Sequence, residues 1–316
     1  MPSEQRTLLN ETARGVFIIS ATPFAEDGAL DLASADRLVD FYLEAGVQGI
    51  TILGMMGEAP KLSYDEASGF MARVLQRVAA RVPVVVGVSN PGLDNLARLA
   101  LEAMARGAAG VMVAPIPGLA TEERLRRYFD SVCRALGPEV PFCYQDYPQS
   151  TGVQISVPTF NALVAEHPQL VMLKHEDCPG LGKLTALRDS AAREGLRRVS
   201  VLVGNGGLYL PQELARGADG AMTGFAYPEM LVGVCTRFFA GDAEGAEDLF
   251  DRYLPLVRHE QQPGFGLALR KEILRRRGVI ASARTRAPGP ALTAADQEEL
   301  SHLIARLERR LAEAEG

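Results

Sequence analysis

The chain has 316 residues, 47% of them hydrophobic and 23% charged, and carries a formal net charge of −6. That balance fits a globular protein long enough to bury a large core, and it argues against the basic face of a nucleic-acid binder. No segment approaches the roughly 20 apolar residues of a membrane-spanning helix.

Met1 to Gly15 is polar and lacks the apolar centre of a signal peptide, so a cytoplasmic protein is expected. The four cysteines (Cys133, Cys143, Cys178, Cys235) show no CxxC pairing and no metal-ligand spacing, which fits free thiols. Of the four histidines (His167, His175, His259, His302), one falls near an expected strand end, so no metal site is expected.

Apolar, β-rich runs recur along the chain at Val16–Ser20, Gln48–Leu53, Pro83–Val88, Gly110–Ala114, Val140–Tyr144, Leu170–Lys174, Val199–Val203 and Gly220–Thr223. Stretches with helical period lie between them. Leu93–Arg106 places Leu96, Leu99, Ala100, Ala103 and Met104 on one face. Ser63 with Glu66 three residues later reads as a capping box. Gly46, Gly107 and Gly217 each stand just before a strand, where a left-handed helix cap belongs.

Eight strands alternating with helices predict a (β/α)8 TIM barrel over residues 1–240. The remainder, 241–316, reads as a C-terminal helical extension with helices at Ala243–Glu260, Phe265–Arg277 and Ala294–Ala314.

In such a barrel, chemistry gathers where strands end. Of the 33 basic residues only four are lysines: Lys61, Lys174, Lys183 and Lys271. Lys174 closes the apolar run Leu170-Val171-Met172-Leu173. Arginine cannot lose its proton, whereas a desolvated lysine can act as a neutral amine and condense with a ketone. Tyr144 ends the preceding strand. If Tyr144 and Lys174 both point inward, a phenol able to carry protons meets the amine. Otherwise Tyr144 is a core aromatic. Glu176 returns to the side of Lys174 if the strand continues, as acid, base or ion-pair partner. His175 falls on the other side, packed against a helix.

The pattern resembles the dihydrodipicolinate synthase / N-acetylneuraminate lyase family, over about Gly15 to Met230. Gly54-Met55-Met56-Gly57-Glu58 is similar to that family's Gly-Thr-Thr-Gly-Glu loop, Tyr144 to its strand-five tyrosine, Lys174 to its Schiff-base lysine, and Gly217-Ala218-Asp219-Gly220 to its strand-eight entry. The resemblance implies a homotetrameric barrel without organic cofactor or required metal, acting on pyruvate or another 2-keto acid. Lys174 would be the nucleophile, Tyr144 the proton carrier, and backbone N–H groups of the loop Gly54, Met55, Met56, Gly57 the carboxylate site. Asn205 and Gly206, after strand seven, are further candidates for substrate contact.

The departures are specific. Met55 and Met56 replace the hydroxyl residues that would relay protons from Tyr144. Ile116-Pro117 stand where the synthase has a tyrosine for the neighbouring subunit. Gln149-Ser150-Thr151 lacks its arginine. The expected function is a Schiff-base-forming lyase, aldolase or dehydratase, acting on a 2-keto acid and distinct from dihydrodipicolinate synthase itself. The competing reading is a catalytically weakened barrel that binds ketoacids or regulates.

Overall fold

A computed structural model describes residues 7–315. Eight strands form a closed parallel barrel in chain order: β1 (Gly15–Ile19), β2 (Gly49–Ile52), β3 (Val84–Gly87), β4 (Gly110–Val113), β5 (Phe142–Asp146), β6 (Leu170–His175), β7 (Ser200–Val203) and β8 (Gly220–Ala221). The helices between and after them are α1 (Leu32–Glu44), α2 (Tyr64–Val78), α3 (Leu93–Ala105), α4 (Glu122–Leu136), α5 (Pro148–Thr151), α6 (Val157–Glu166), α7 (Leu181–Glu194), α8 (Leu210–Ala215) and α9 (Pro228–Phe239). Three more follow: α10 (Ala243–Glu260), α11 (Gly266–Arg276) and α12 (Ala294–Glu315). No helix among the described residues is long and apolar enough to cross a membrane.

The local signals act as their chemistry requires. The Ser63 hydroxyl accepts from Glu66 N while the Glu66 carboxylate accepts from Ser63 N, which satisfies two orphan donors of α2. Gly46, Gly107 and Gly217 have φ of 77°, 98° and 91°, the left-handed region that reverses the chain into β2, β4 and β8.

Apolar residues divide between two cores. Phe17, Ile19, Val85, Met112, Cys143, Met172, Leu202 and Met222 fill the barrel interior. Val16, Ile18, Ile50, Ile52, Phe142, Tyr144, Leu173 and Val203 face the helices instead. Period-2 alternation along parallel strands buried on both faces produces this pair of layers.

β5 lies two residues further along than the Val140–Tyr144 expected from sequence. Pro141 has no N–H to donate, so the ladder starts at Phe142, whose N–H donates to Gln169 O at 2.8 Å. The strand then runs through Gln145 and Asp146 before Pro148 opens α5. Against β6 the register slips by one: Phe142 pairs with Leu170, but Cys143 pairs with Met172. Val171 is the extra residue of a bulge. Beyond it, Tyr144 pairs with Leu173, Gln145 with Lys174 and Asp146 with His175.

The helices after the barrel are tied to it through Glu58. Its carboxylate takes Lys271 Nζ at 2.6 Å and Lys61 Nζ at 3.0 Å, and accepts from Arg286 N at 2.9 Å. Both side chains of the Glu58–Lys271 pair are buried. Burial pushes the Lys271 amine below its ordinary range, and Glu58 pulls the other way. Removing one partner of such a pair strands a buried charge. Glu58→Ala should therefore lower unfolding free energy by roughly 3–5 kcal/mol in urea titration. Glu123→Ala, whose pair with Arg127 is exposed, should change it by less than ~1 kcal/mol.

Candidate active site

β6 carries Lys174 to the inner face of the barrel, beyond Met172, at the end where the strands finish. The side chain is buried, and its Nζ lies 2.9 Å from Glu176 Oε2. Gln145 Nε2 donates to the same carboxylate oxygen at 2.8 Å. Gln145 is the direct ladder partner of Lys174, so two adjacent strands present an amide and an amine to one carboxylate. The surroundings are buried. Burial pushes the Cys143 thiol up to about 12, with Lys174 close enough to oppose that shift.

Glu176 is held from several directions. Its N–H donates to Asp146 O at 2.9 Å, and its carbonyl accepts from Asn205 Nδ2 at 3.1 Å. Its side chain lies against Gly204, where a Cβ would overlap the Glu176 Cγ and carboxyl carbon. A side chain at 204 would expel the carboxylate from beside Lys174.

One sequence expectation needs correction. Tyr144 does not meet Lys174. It points outward, its ring packed 4.7 Å from that of Phe129 and 5.9 Å from that of Phe160, and its hydroxyl has no hydrogen-bond partner. Burial raises the phenol well above 10, with Asp146 and Tyr128 adding to the shift. The alternation that puts Tyr144 with Phe142 was right, but the shared side is the helix side, and Gln145 takes the inward position. Asn205 and Gly206 each donate a hydrogen bond within the protein. Asn205 donates to Glu176 O, and Gly206 N donates to Thr223 Oγ1 at 2.7 Å. The expectations that Glu176 returns to the side of Lys174 and that His175 faces the helices both hold.

The Gly54–Gly57 loop is anchored by Thr22 Oγ1, which donates to Gly57 O at 2.6 Å, and by Glu58 N, which donates to Met55 O at 3.0 Å. The N–H groups of Met55 and Met56 donate no hydrogen bond among the described residues. Met56 packs on the apolar barrel interior.

Gln145, which the sequence places just after strand five as a candidate for contact with a polar substrate, belongs to β5 itself. Sequence reasoning missed two polar residues here. Arg270, from α11, is buried beside Gly224, paired with Glu260 and in contact with Met56 Sδ. Nothing in its local sequence separates it from the arginines around it. Tyr147 is a half-buried phenol raised by burial and then by the Glu176 carboxylate, so it lies within electrostatic reach of the site. Elsewhere, Asp130, Glu166 and His167 converge closely enough to share a cation, but on α4 and the end of α6 rather than at the strand ends.

A closed (β/α)8 barrel with a buried lysine beside a carboxylate at its strand ends is an arrangement that an aldolase or dehydratase would use. The sequence matches the dihydrodipicolinate synthetase family over residues 12–307, and the chain belongs to that family, as a lyase. It is 33% identical over 299 residues to L-2-keto-3-deoxyarabonate dehydratase of Azospirillum brasilense, covering 93% of this chain and 94% of that one. It is 32% identical over 236 residues to 4-hydroxy-tetrahydrodipicolinate synthase of Sorangium cellulosum, covering 73% and 76%. A crystal structure described as dihydrodipicolinate synthase from Rhodopseudomonas palustris superposes with a TM-score of 0.93 at 46% identity, covering 95% of this chain and 99% of that one.

An outward phenol without a partner cannot serve the inner site. Tyr144→Phe should leave turnover within about twofold, against the ~10²–10⁴-fold loss that removal of an acid–base group brings. Single-turnover rates of Tyr144→Phe and Tyr147→Phe, measured side by side, check this.

Proposed function

We propose that this chain is a Schiff-base-forming dehydratase for a 2-keto-3-deoxy sugar acid. The observation that carries the proposal is the 2.9 Å pair between Lys174 Nζ and Glu176 Oε2, backed by Gln145 where a phenol was expected.

The pair supplies its own proton path. Transfer from the ammonium to the adjacent carboxylate leaves a neutral amine, whose lone pair attacks C2 of the keto acid. Glu176 returns the proton to the resulting alkoxide, then takes one from the nitrogen and delivers it to the new hydroxyl, so that water leaves and the iminium forms. Glu176, again a carboxylate, then takes a proton from C3, and the C3–H electrons form an enamine. Expulsion of the C4 hydroxyl, with the same proton returned to it, forms the C3=C4 double bond and releases water. Hydrolysis frees Lys174. One carboxylate thus carries the proton through each step.

Aldol cleavage would instead remove the proton of the C4 hydroxyl, which the same carboxylate reaches when it protonates that oxygen, so the choice of dehydration rests on the similarity to a keto-deoxy acid dehydratase. Glu176 touches the lysine nitrogen itself and is therefore placed for C3, one bond from the imine carbon. The substrate carboxylate fits the unused N–H groups of Met55 and Met56, as backbone donors require no hydroxyl side chain. Asn205 and Gly206 contribute by holding the Glu176 backbone and the β7 loop. The full-length similarity to a keto-deoxy acid dehydratase supports the choice of substrate class. The loss of the synthase arginine and strand-four tyrosine supports the choice against condensation with aspartate semialdehyde. The same reading carries a cytoplasmic homotetramer, for which light scattering would return about four times the 34.0 kDa chain mass.

Incubation with pyruvate and borohydride should add one reduced pyruvyl unit to Lys174, located by peptide mass spectrometry. Undiminished labelling of Lys174→Ala would overturn the assignment. Against a panel of 2-keto-3-deoxy acids, Glu176→Gln should lose ~10²–10⁴-fold in turnover while still forming trappable imine. Turnover close to wild type in that variant would remove Glu176 from the chemistry.

A further inference from the structure

Behind the inner site, on the opposite face of the same two strands, lies a buried cluster of charge that the proposed mechanism does not use. Asp146 and His175 are ladder partners, one position beyond Gln145 and Lys174, and both side chains are almost fully buried. Lys183 Nζ of α7 reaches Asp146 Oδ2 at 2.7 Å and Asp177 Oδ2 at 3.1 Å. Glu213 of α8 faces the imidazole electrostatically, its carboxyl raised to about 7 by burial, with His175 opposing the shift. These four groups are the charges that surround the ring from β5, the 176–180 loop, α7 and α8.

The proton count follows from geometry. His175 Nε2 lies 3.0 Å from Gly180 O. A carbonyl only accepts, so Nε2 carries a hydrogen. In a neutral ring Nδ1 would then be a bare acceptor, buried, with a carboxylate oxygen 3.6 Å away as its neighbour. Neither Nδ1 nor Asp146 Oδ1 has a hydrogen-bond partner. The oxygen 3.6 Å from Nδ1 is Oδ2, which already accepts from Lys183 Nζ, so the carboxylate meets the ring with one engaged oxygen and one orphan. A proton on Nδ1 would turn a buried bare acceptor into a donor toward that carboxylate and recover free energy that the two unpaired atoms cost.

We propose that His175 and Asp146 share a proton, forming a charged latch across β5 and β6 that positions Lys174, Glu176 and Gln145 on the inner face. The backbone makes the connection direct. Asp146 O accepts the Glu176 N–H, and His175 O accepts the Gly204 N–H at 2.9 Å. Gln145, Lys174, Glu176 and Gly204 are thus each bonded to a latch residue or adjacent to one. His175 and Asp146 are positioning residues, because neither touches the substrate path.

Desolvation pulls the His175 pKa down, but the nearby Asp146 carboxylate outweighs it, and the net shift is upward. The sign is then fixed. The latch stabilises fully below the ordinary imidazole range, and its contribution is lost as pH rises through the raised value.

The latch rests on the Schiff-base reading only for its effect on rate, so the test has an arm that needs no substrate. Ring-labelled histidine NMR of the intact protein at pH 7.5, with His175→Gln to assign the signal, should show His175 as an imidazolium. An unperturbed histidine, with pKa near ~6.5, would be mostly neutral there. Asp146→Asn should convert the His175 signal to the neutral Nε2–H form. A neutral His175 in wild type overturns the proposal. Crystal structures of wild type and Asp146→Asn should show the Lys174–Glu176 contact opened in the variant, and an unchanged contact overturns the positioning role. Pyruvate imine formation should slow ~10–100-fold in Asp146→Asn, the scale expected of a misplaced catalytic group. It should also lose the alkaline limb that His175 sets. Absence of trapping in wild type at every pH counts against the Schiff-base reading alone, and the NMR and crystal arms still decide the latch.

Discussion

The register between β5 and β6 is the constraint on which the mouth of this barrel depends. One extra residue, Val171, shifts the ladder so that Gln145 stands beside Lys174 and Asp146 beside His175. Because side chains alternate with period 2, a slip of one residue exchanges inner and outer faces. The bulge therefore decides that an amide, and not a phenol, shares the carboxylate of Glu176. It also stacks two polar pairs back to back: Gln145 with Lys174 inside, Asp146 with His175 outside. Buried polar groups at this density are costly unless partnered, and on the inner face Lys174 and Gln145 share the Glu176 carboxylate.

The rest of the structure protects that arrangement. Gly204 leaves room for the Glu176 side chain, and Asn205 holds its carbonyl. Glu58 closes the β2 loop onto α11 through Lys271, which fixes the loop bearing the free N–H groups of Met55 and Met56. The same helix sends Arg270 to the strand-eight side of the mouth. The helices beyond the barrel thus reach the site and are not a remote appendage.

The fold was legible because its signals are local and repeated. Alternating apolar runs, the Ser63–Glu66 box and the glycine caps at Gly46, Gly107 and Gly217 all act within a few residues of themselves. The place of Lys174 at a strand end was legible by contrast with a chain in which only four of the 33 basic residues are lysines. The orientation of Tyr144 was not, because it depends on where β5 begins and on a bulge in its neighbour. Pro141 was the available signal for the first of these. The aromatic company of Tyr144 was a signal for its outward side, since Phe129 and Phe160 occupy helix faces that must pack against it. Arg270 and Tyr147 could not be found from spacing, because long-range packing alone brings them to the mouth.

The most direct measurement is a crystal structure of the wild-type protein after pyruvate and borohydride treatment. The account predicts a reduced adduct on Lys174 Nζ, its carboxylate on the N–H groups of Met55 and Met56, and Glu176 with Gln145 beside the former imine nitrogen. Tyr144 should remain packed against Phe129 and Phe160. An adduct on another lysine, or one with the Tyr144 hydroxyl turned inward against it, would contradict the account.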